Sequence, residues 1–234
     1  MTRRPSQLRP VKIRTGFIDS ADGSALIEVG RTRVLCNATV IEDLPEWRKA
    51  SASGWVTAEY AMLPASVPHR KPRGDRDGRS AEIQRIVGRS LRAAVDMAAL
   101  GPRTIYVDCD VLQADGGTRA ASITGGYVAL ALAIRRLRER GLLKRRALKC
   151  HVAAVSVGIV DGRPRLDLDY SMDSRAEVDM NVVMTDALKL VEVQGTAERG
   201  DFTRALLNDM LDLAAGAIRG LVRRQRKALR GKGV

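Results

Sequence analysis

Between an alternating apolar run and a long apolar segment lies Gln113-Ala114-Asp115-Gly116-Gly117-Thr118-Arg119. Two consecutive glycines let a backbone turn sharply and come close to a ligand. The residues after them open a predicted helix, whose free N–H groups and dipole attract an anion. Thr118 adds a hydroxyl donor, and Arg119 a planar, permanently charged fork that fits phosphate oxygens. Four anion-binding devices in four residues point to phosphate. The same spacing also suits an ordinary strand-to-helix turn, with glycine for shape and arginine for solubility. The stretch therefore takes its meaning from its companions.

Acidic chemistry follows at Leu166–Met180, where Asp167, Asp169, Asp173, Glu177 and Asp179 crowd together in an otherwise basic chain. The separation of Asp173 and Asp179 puts them on different faces of a regular helix. A bend leading into a strand predicted at Met180–Thr185 would bring both to one point. Carboxylates with open water positions suit Mg²⁺ or Mn²⁺, which need few protein ligands when substrate phosphates supply the rest. The acids serve equally well as helix caps and as partners for nearby arginines. His69 and His151 stand apart and offer neither a triad nor a zinc site. G-x-S-x-G, S-x-x-K, Walker-type and strand–G-x-G-x-x-G–helix patterns are all missing, which disfavours a protein nucleophile and the standard NTP or dinucleotide folds. An anion site, a carboxylate group able to hold a metal and a basic surface together suit phosphoryl transfer on a nucleic acid. Catalysis there is mainly positioning and charge neutralisation.

The basic surface is read from charge. Forty Lys and Arg against 27 Asp and Glu give a net +13 over 234 residues. Arg70–Arg79 carries +3, Arg135–Arg146 carries +6 and Arg219–Lys232 carries +7, leaving the remainder at about −3. Cations clustered beside a near-neutral remainder suggest a polyanionic partner, although each stretch alone reads as solvated surface. Aromatic residues are scarce, at 3%, so stacking platforms for single strands are few. With 45% hydrophobic residues the chain can bury a core as one compact unit, 1–234. The polar N-terminus has no signal-peptide pattern, and the apolar runs Tyr127–Ile134 and Val152–Val160 are too short for a bilayer. A soluble, cytoplasmic protein with no membrane partner is expected. Cys36, Cys109 and Cys150 lie in apolar segments without metal-ligand spacing and read as buried free thiols.

The elements that must position these residues follow from periodicity. Ala25–Val29, Arg33–Ile41, Gly54–Leu63 and Thr104–Leu112 read as strands, the first two joined by a tight turn at Gly30-Arg31-Thr32. Residues 67–79, with Pro68, Pro72, Gly74 and Gly78 among charges, read as a mobile basic loop. From Ala81 an apolar stripe (Ile83, Ile86, Val87, Leu91, Ala94, Val95, Ala98) predicts a helix ending at Gly101-Pro102. A long helix is expected from Thr118 to Arg138, buried in its middle. Strands at Val152–Val160, Arg165–Tyr170, Met180–Thr185 and Lys189–Val193 precede a final helix, Thr203–Leu229, whose basic end and tail occupy 219–234. Strands and helices in this order fit two α+β halves with helices covering sheets.

Five blocks carry a resemblance that runs over nearly the whole chain. They are Gly54–Pro64 (GWVTAEYAMLP), Gly78–Ser90 (GRSAEIQRIVGRS), Asp108–Arg119 (DCDVLQADGGTR), Glu177–Thr185 (EVDMNVVMT) and Val191–Glu198 (VEVQGTAE). In this order they resemble the ribonuclease PH family, phosphate-dependent 3′-to-5′ exoribonucleases that trim tRNA precursors. The resemblance implies an α+β, ribosomal protein S5 domain 2-like fold with two βαββα-type halves, assembled as a homo-hexamer, a trimer of dimers. It implies that Arg79, Gly117, Thr118 and Arg119 bind inorganic phosphate, and that Asp173 and Asp179 are the required aspartates, holding Mg²⁺. The implied reaction is reversible attack of phosphate on the 3′-terminal phosphodiester, releasing a nucleoside diphosphate from tRNA precursors and other RNA 3′ ends, ribosomal RNA included. Arg70, Lys71, Arg73 and Arg76 would then hold the tRNA body.

The chain departs from the family's usual pattern at Ala65-Ser66-Val67, where Arg-Ala-Thr is usual, and at Ala120, where Thr is usual. The first departure removes a cation beside the basic loop and bears on tRNA affinity or ring packing. Neither touches the arginines or aspartates. A non-catalytic, RNA-binding ring subunit of exosome type is the alternative from another class, but such subunits tend to lose either the phosphate arginines or the aspartates. A hydrolytic metal-dependent nuclease is a further one, though it has no need of a Gly-Gly-Thr-Arg pocket.

Overall fold

The computed structural model describes residues 3–51, 53–73 and 78–230. Strands β1 (Val11–Thr15), β2 (Gly23–Val29), β3 (Thr32–Ile41), β4 (Trp55–Met62) and β5 (Thr104–Gln113) form one sheet in the order β1-β2-β3-β5-β4. Strand β4 runs parallel to β5, from Trp55 opposite Thr104 to Met62 opposite Val111. A parallel pair needs a long crossover, which α1 (Gly78–Ala93) and the short α2 (Met97–Leu100) provide. After β5 comes α3 (Thr118–Glu139). A second, antiparallel sheet takes β6 (Val152–Val160), β7 (Arg163–Leu166), β8 (Val178–Thr185) and β9 (Leu190–Ala197) in the order β7-β6-β8-β9. The single-turn α4 (Tyr170–Asp173) lies between β7 and β8, and α5 (Arg204–Arg230) closes the chain.

Alternation along the strands decides which face is buried. On β5, Ile105, Val107, Cys109 and Val111 enter the core while Tyr106, Asp108 and Asp110 point the other way. Helices α1 and α3 cover the apolar face of this sheet. Helix α3 is apolar nearly all round because it is enclosed nearly all round: it packs on β2 and β3 on one side and on β6 and α5 on the other. Fully burying side chains such as Ile123 and Leu130 contributes about 1.5–3 kcal/mol each. Strand β6 is buried along its whole length, with Val152 and Ala154 in the core around α3 and Val155 and Val157 against α5. Gln225 of α5 is completely buried, and its amide donates to Thr124 O (3.0 Å) and Val152 O (2.9 Å), tying α5, α3 and β6 together.

The expected α+β fold, with helices packed on two sheets, is present. Four local expectations change. Strand β1 was not anticipated: its sequence VKIRT alternates charged with apolar residues over only five positions, and it is an edge strand with one face half-buried and the other exposed. The helix expected from Ala81 begins at Gly78, so Arg79 stands on its first turn instead of in the loop. That turn is polar and gives no apolar signal. The helix also does not run on to Gly101. It breaks after Ala93, and Asp96 caps α2 by accepting the N–H groups of Ala98 and Ala99. The strand expected at Arg165–Tyr170 ends at Leu166, because Asp167 turns into the left-handed region (φ 57°) and Asp169 caps α4.

Among the described residues, no helix is long and apolar enough to cross a membrane. Cys36 and Cys109 are buried free thiols facing each other across β3 and β5, while Cys150 is half-buried.

Candidate active site

The Gly116-Gly117 turn joins the end of β5 to the start of α3. Both glycines have left-handed backbones, φ 73° and 69°, where a Cβ is strained. Gly117 occupies the N-cap of α3, and no side chain caps the helix there. The first N–H groups of a 22-residue helix are thus left to an anion instead of to the usual Ser or Asp. Thr118 is held by the buried Tyr60 of β4, whose hydroxyl lies 2.9 Å from Thr118 Oγ1. Burial pushes the Tyr60 hydroxyl up, while the bond to Thr118 and the charges of Arg79 and Arg119 oppose the shift.

Arg119 is held from across the molecule. Its Nη1 donates to Gln194 Oε1 on β9 (2.5 Å), and Gln194 in turn donates to Glu82 on α1. Its Nε is buried without a hydrogen-bond partner among the described residues. Such a donor costs about 1–3 kcal/mol unless a ligand accepts from it. Glu82 lies one turn along α1 from Arg79, hence on the same helix face. A second tie joins the same elements, Arg89 of α1 to Glu192 of β9 at 3.0 Å. Helix α1 and strand β9, from opposite halves of the chain, are thereby laced together over the site.

The two aspartates come from the second half. Asp173 ends α4, its N–H donating to Asp169 O (2.8 Å). Asp179 lies near the start of β8, opposite Gly158 of β6 and Thr196 of β9. Burial pushes the Asp173 carboxyl above the ordinary range, Arg79 and Arg119 oppose this, and Glu198 adds to it. Asp179 is deeper. Burial and the negative charge of Asp173 take it to about 6, against the pull of Arg119 and Arg79. Arg79, Arg119, Asp173 and Asp179, spread over a hundred positions of sequence, therefore act on one another within one site.

Arg70 and Arg73 are exposed on the connection from β4 to α1, and Lys71 borders a cleft of about 530 Å³. Glu59, Asp108 and Asp110 also line that cleft. Burial and the neighbouring Asp110 and Glu59 push Asp108 up. Arg76 lies outside the described residues. Tyr60, Glu82, Gln194 and Glu198 belong to the site without having been singled out. Glu82 shares a helix face with Arg79 only because α1 begins at Gly78, which the apolar period did not signal; the others are single polar residues on strands or strand ends.

Two models of the 3′ exoribonuclease family match the chain, domain 1 over residues 7–135 and domain 2 over 150–217. Ribonuclease PH of Mycolicibacterium smegmatis is 57% identical over 232 residues, 97% of this chain and 90% of that protein. The same figures hold for Ribonuclease PH of Mycobacterium tuberculosis. Among solved structures, the Archaeoglobus fulgidus exosome with RNA bound to the active site aligns with a TM-score of 0.80 at 21% identity, covering 95% of this chain and 90% of that one. Rice (Oryza sativa) Rrp46 aligns at 0.79 and 18% identity, covering 97% and 98%. These two structural likenesses bear on the fold alone.

Proposed function

This chain belongs to the RNase PH family of 3′ exoribonucleases, and from that premise we propose how its site works. The protein is a phosphorolytic 3′-to-5′ exoribonuclease of the nucleotidyltransferase class, with RNA as substrate and inorganic phosphate as co-substrate. A phosphate oxygen bonds to the phosphorus of the last phosphodiester, and the bond from that phosphorus to the 3′ oxygen of the preceding nucleotide breaks. The departing 3′ oxygen takes up a proton, and a nucleoside diphosphate leaves.

Arg79 and Arg119 neutralise and orient the attacking phosphate, which makes the attack effectively intramolecular. The first N–H groups of α3 and the Thr118 hydroxyl take its other oxygens, and the free Nε of Arg119 is a further donor. Tyr60 fixes the Thr118 hydroxyl. Asp173 and Asp179 fit a divalent cation, Mg²⁺ or Mn²⁺: they are two partly buried carboxylates whose charge burial disfavours, a cost that a cation relieves. Among the described residues no cluster of three or more His, Cys, Asp or Glu could hold a metal; a cation held by these two carboxylates would take its other ligands from substrate oxygens and water. Such an ion supplies positive charge at the scissile phosphate and the leaving oxygen. Arg70, Lys71, Arg73 and Arg76 hold the RNA body through salt-sensitive contacts. The physiological substrates are tRNA precursors, the working form is a hexameric trimer of dimers, and the compartment is the cytoplasm.

What supports this reading is that the charges of Arg79 and Arg119 reach both Asp173 and Asp179. A non-catalytic ring subunit has no use for both sets. The test is incubation with a 3′-extended tRNA, with and without phosphate and Mg²⁺. Nucleoside diphosphates that require phosphate are expected, and monophosphates formed without phosphate would instead mean hydrolysis. Light scattering at several concentrations checks the ring; a stable monomer that trims tRNA efficiently would rule it out as the working form.

A further inference from the structure

A buried arginine far from the motifs touches the back of the phosphate turn. Arg9, between a short N-terminal segment and β1, is 7% exposed. Its Nη1 donates to Asp115 O (2.5 Å) and its Nη2 to Gly116 O (3.3 Å), two carbonyls of the turn that precedes the α3 N–H groups. The same guanidinium forms a two-pronged pair with buried Asp167, Nε to Oδ2 at 3.0 Å and Nη2 to Oδ1 at 2.7 Å. The Arg9 N–H adds a third bond to Oδ2 at 2.8 Å. Asp167 and Leu168 are themselves anchored on Ser156 of β6, through Asp167 N to Ser156 O (2.7 Å) and Leu168 N to Ser156 Oγ (3.1 Å). From the other side, Thr32 Oγ1 accepts from Asp115 N (2.9 Å) and donates to Gly116 O (2.7 Å).

The packing is built around this clasp. A Cβ on Gly30 would stand 2.6 Å from Arg9 Cδ, and one on Gly116 would stand 2.5 Å from Leu168 O. Any side chain at either glycine would push the clasp open. The segment it grips, 167–169, leads directly into α4 and Asp173. Arg9 therefore joins the turn directly to the segment that leads to Asp173.

We propose that Arg9 is a positioning residue for the attacking phosphate, clamping the Asp115 and Gly116 carbonyls to Asp167 so that the N–H groups of the turn face the anion at a fixed distance from Asp173. This rests on the phosphorolytic reading above. A displacement of about 1 Å at a reacting group costs on the order of 100-fold in rate, so a clamp behind the turn governs catalysis without touching substrate.

Arg9→Lys keeps the charge opposite Asp167 but cannot reach Asp115, Gly116 and Asp167 together. Thr32→Val removes the other two bonds to the turn while preserving shape. Diphosphate release is measured against phosphate concentration at saturating RNA, with thermal melts alongside. The expected result is a rise in phosphate KM of about tenfold or more for Arg9→Lys, and of about threefold or more for Thr32→Val, with RNA KM within about twofold of wild type. A purely structural role would lower melting temperature and active fraction but leave phosphate KM unchanged, and that outcome overturns the proposal. If Arg9→Lys does not fold, an unchanged phosphate KM in Thr32→Val overturns it alone. Wild-type protein that releases no phosphate-dependent diphosphate would sink the phosphorolytic reading, a result distinct from either.

Discussion

Asp179→Asn should stabilise the fold while abolishing turnover, and the reason lies in its titration. The carboxyl is held near 6 in the folded chain, chiefly by burial and by Asp173, against an ordinary value of 3.8. A shift of about two units at about 1.4 kcal/mol each corresponds to roughly 3 kcal/mol, which partial solvent access and relaxation reduce to about 1–2 kcal/mol. The sign follows from proton counts. Between pH 4 and 6 the folded chain keeps a proton that the unfolded chain has lost, so stability falls as pH rises through this window. Above pH 6 the full cost is present. Asn carries no charge and escapes it, so the variant should melt about 3–6 °C higher at pH 7.5, with the gain shrinking toward zero near pH 4. Added Mg²⁺ should narrow the gap at pH 7.5 by stabilising the wild type and not the variant. Thermal melts across pH, with and without Mg²⁺, decide the matter. A variant less stable than wild type at pH 7.5, or a gain that persists undiminished at pH 4, would refute the claim that burial of this charge strains the fold.

Three other substitutions separate the roles of neighbouring groups. Arg79→Ala, on the exposed first turn of α1, should remove diphosphate release at least about 100-fold with an unchanged circular dichroism spectrum; retained turnover would remove Arg79 from the phosphate pocket. Gly116→Ala must take a left-handed backbone and meet Leu168 O; it should cost about 3 kcal/mol and raise phosphate KM, both read from melts and kinetics on one preparation. Gln225→Leu leaves two buried carbonyls, Thr124 O and Val152 O, without their side-chain donor and should cost about 2–4 kcal/mol, yet leave kcat and both KM values near wild type at 25 °C, since nothing at the site touches it.

Sequence made the ligand types legible and left their support obscure. The Gly-Gly-Thr-Arg turn and the acidic run stood out as candidates through local pattern, a strand before, a helix after, acids in a basic chain, but it was the family resemblance that singled out Asp173 and Asp179. Four of the first sheet's five strands and all three long helices followed from apolar period, with the end errors noted above. The misses share a cause. Strand β1 is short and half-charged, so its place comes from pairing with β2 and not from its own composition. The break at Ala94–Asp96 hides inside a continuing helical period, where Val95 is buried by bridging to Leu148 and not by helical packing. Arg9, Gln194 and Tyr60 act through contacts that span 75 to 158 positions or join two distant elements. No window of sequence contains both partners.

That division has a chemical logic. With phosphate as the nucleophile, the chain needs no activated serine or cysteine, and what it must supply is distance. The proposed phosphate-binding groups Arg79, Thr118 and Arg119 come from one half and the carboxylates Asp173 and Asp179 from the other, so on this proposal the attack distance is set by how the halves meet. Each crossing contact bears on that distance: α3 buried against β6, Arg119 on Gln194, Arg89 on Glu192, and Arg9 on Asp167. The exposed Arg89–Glu192 pair contributes little to stability, and the apolar seam sets stability but tolerates small shifts. The buried, doubly bonded Arg9–Asp167 pair is the contact whose geometry admits least slack. A fold that left this pair intact and loosened the others would keep the phosphate turn aligned with Asp173, whereas the reverse would not.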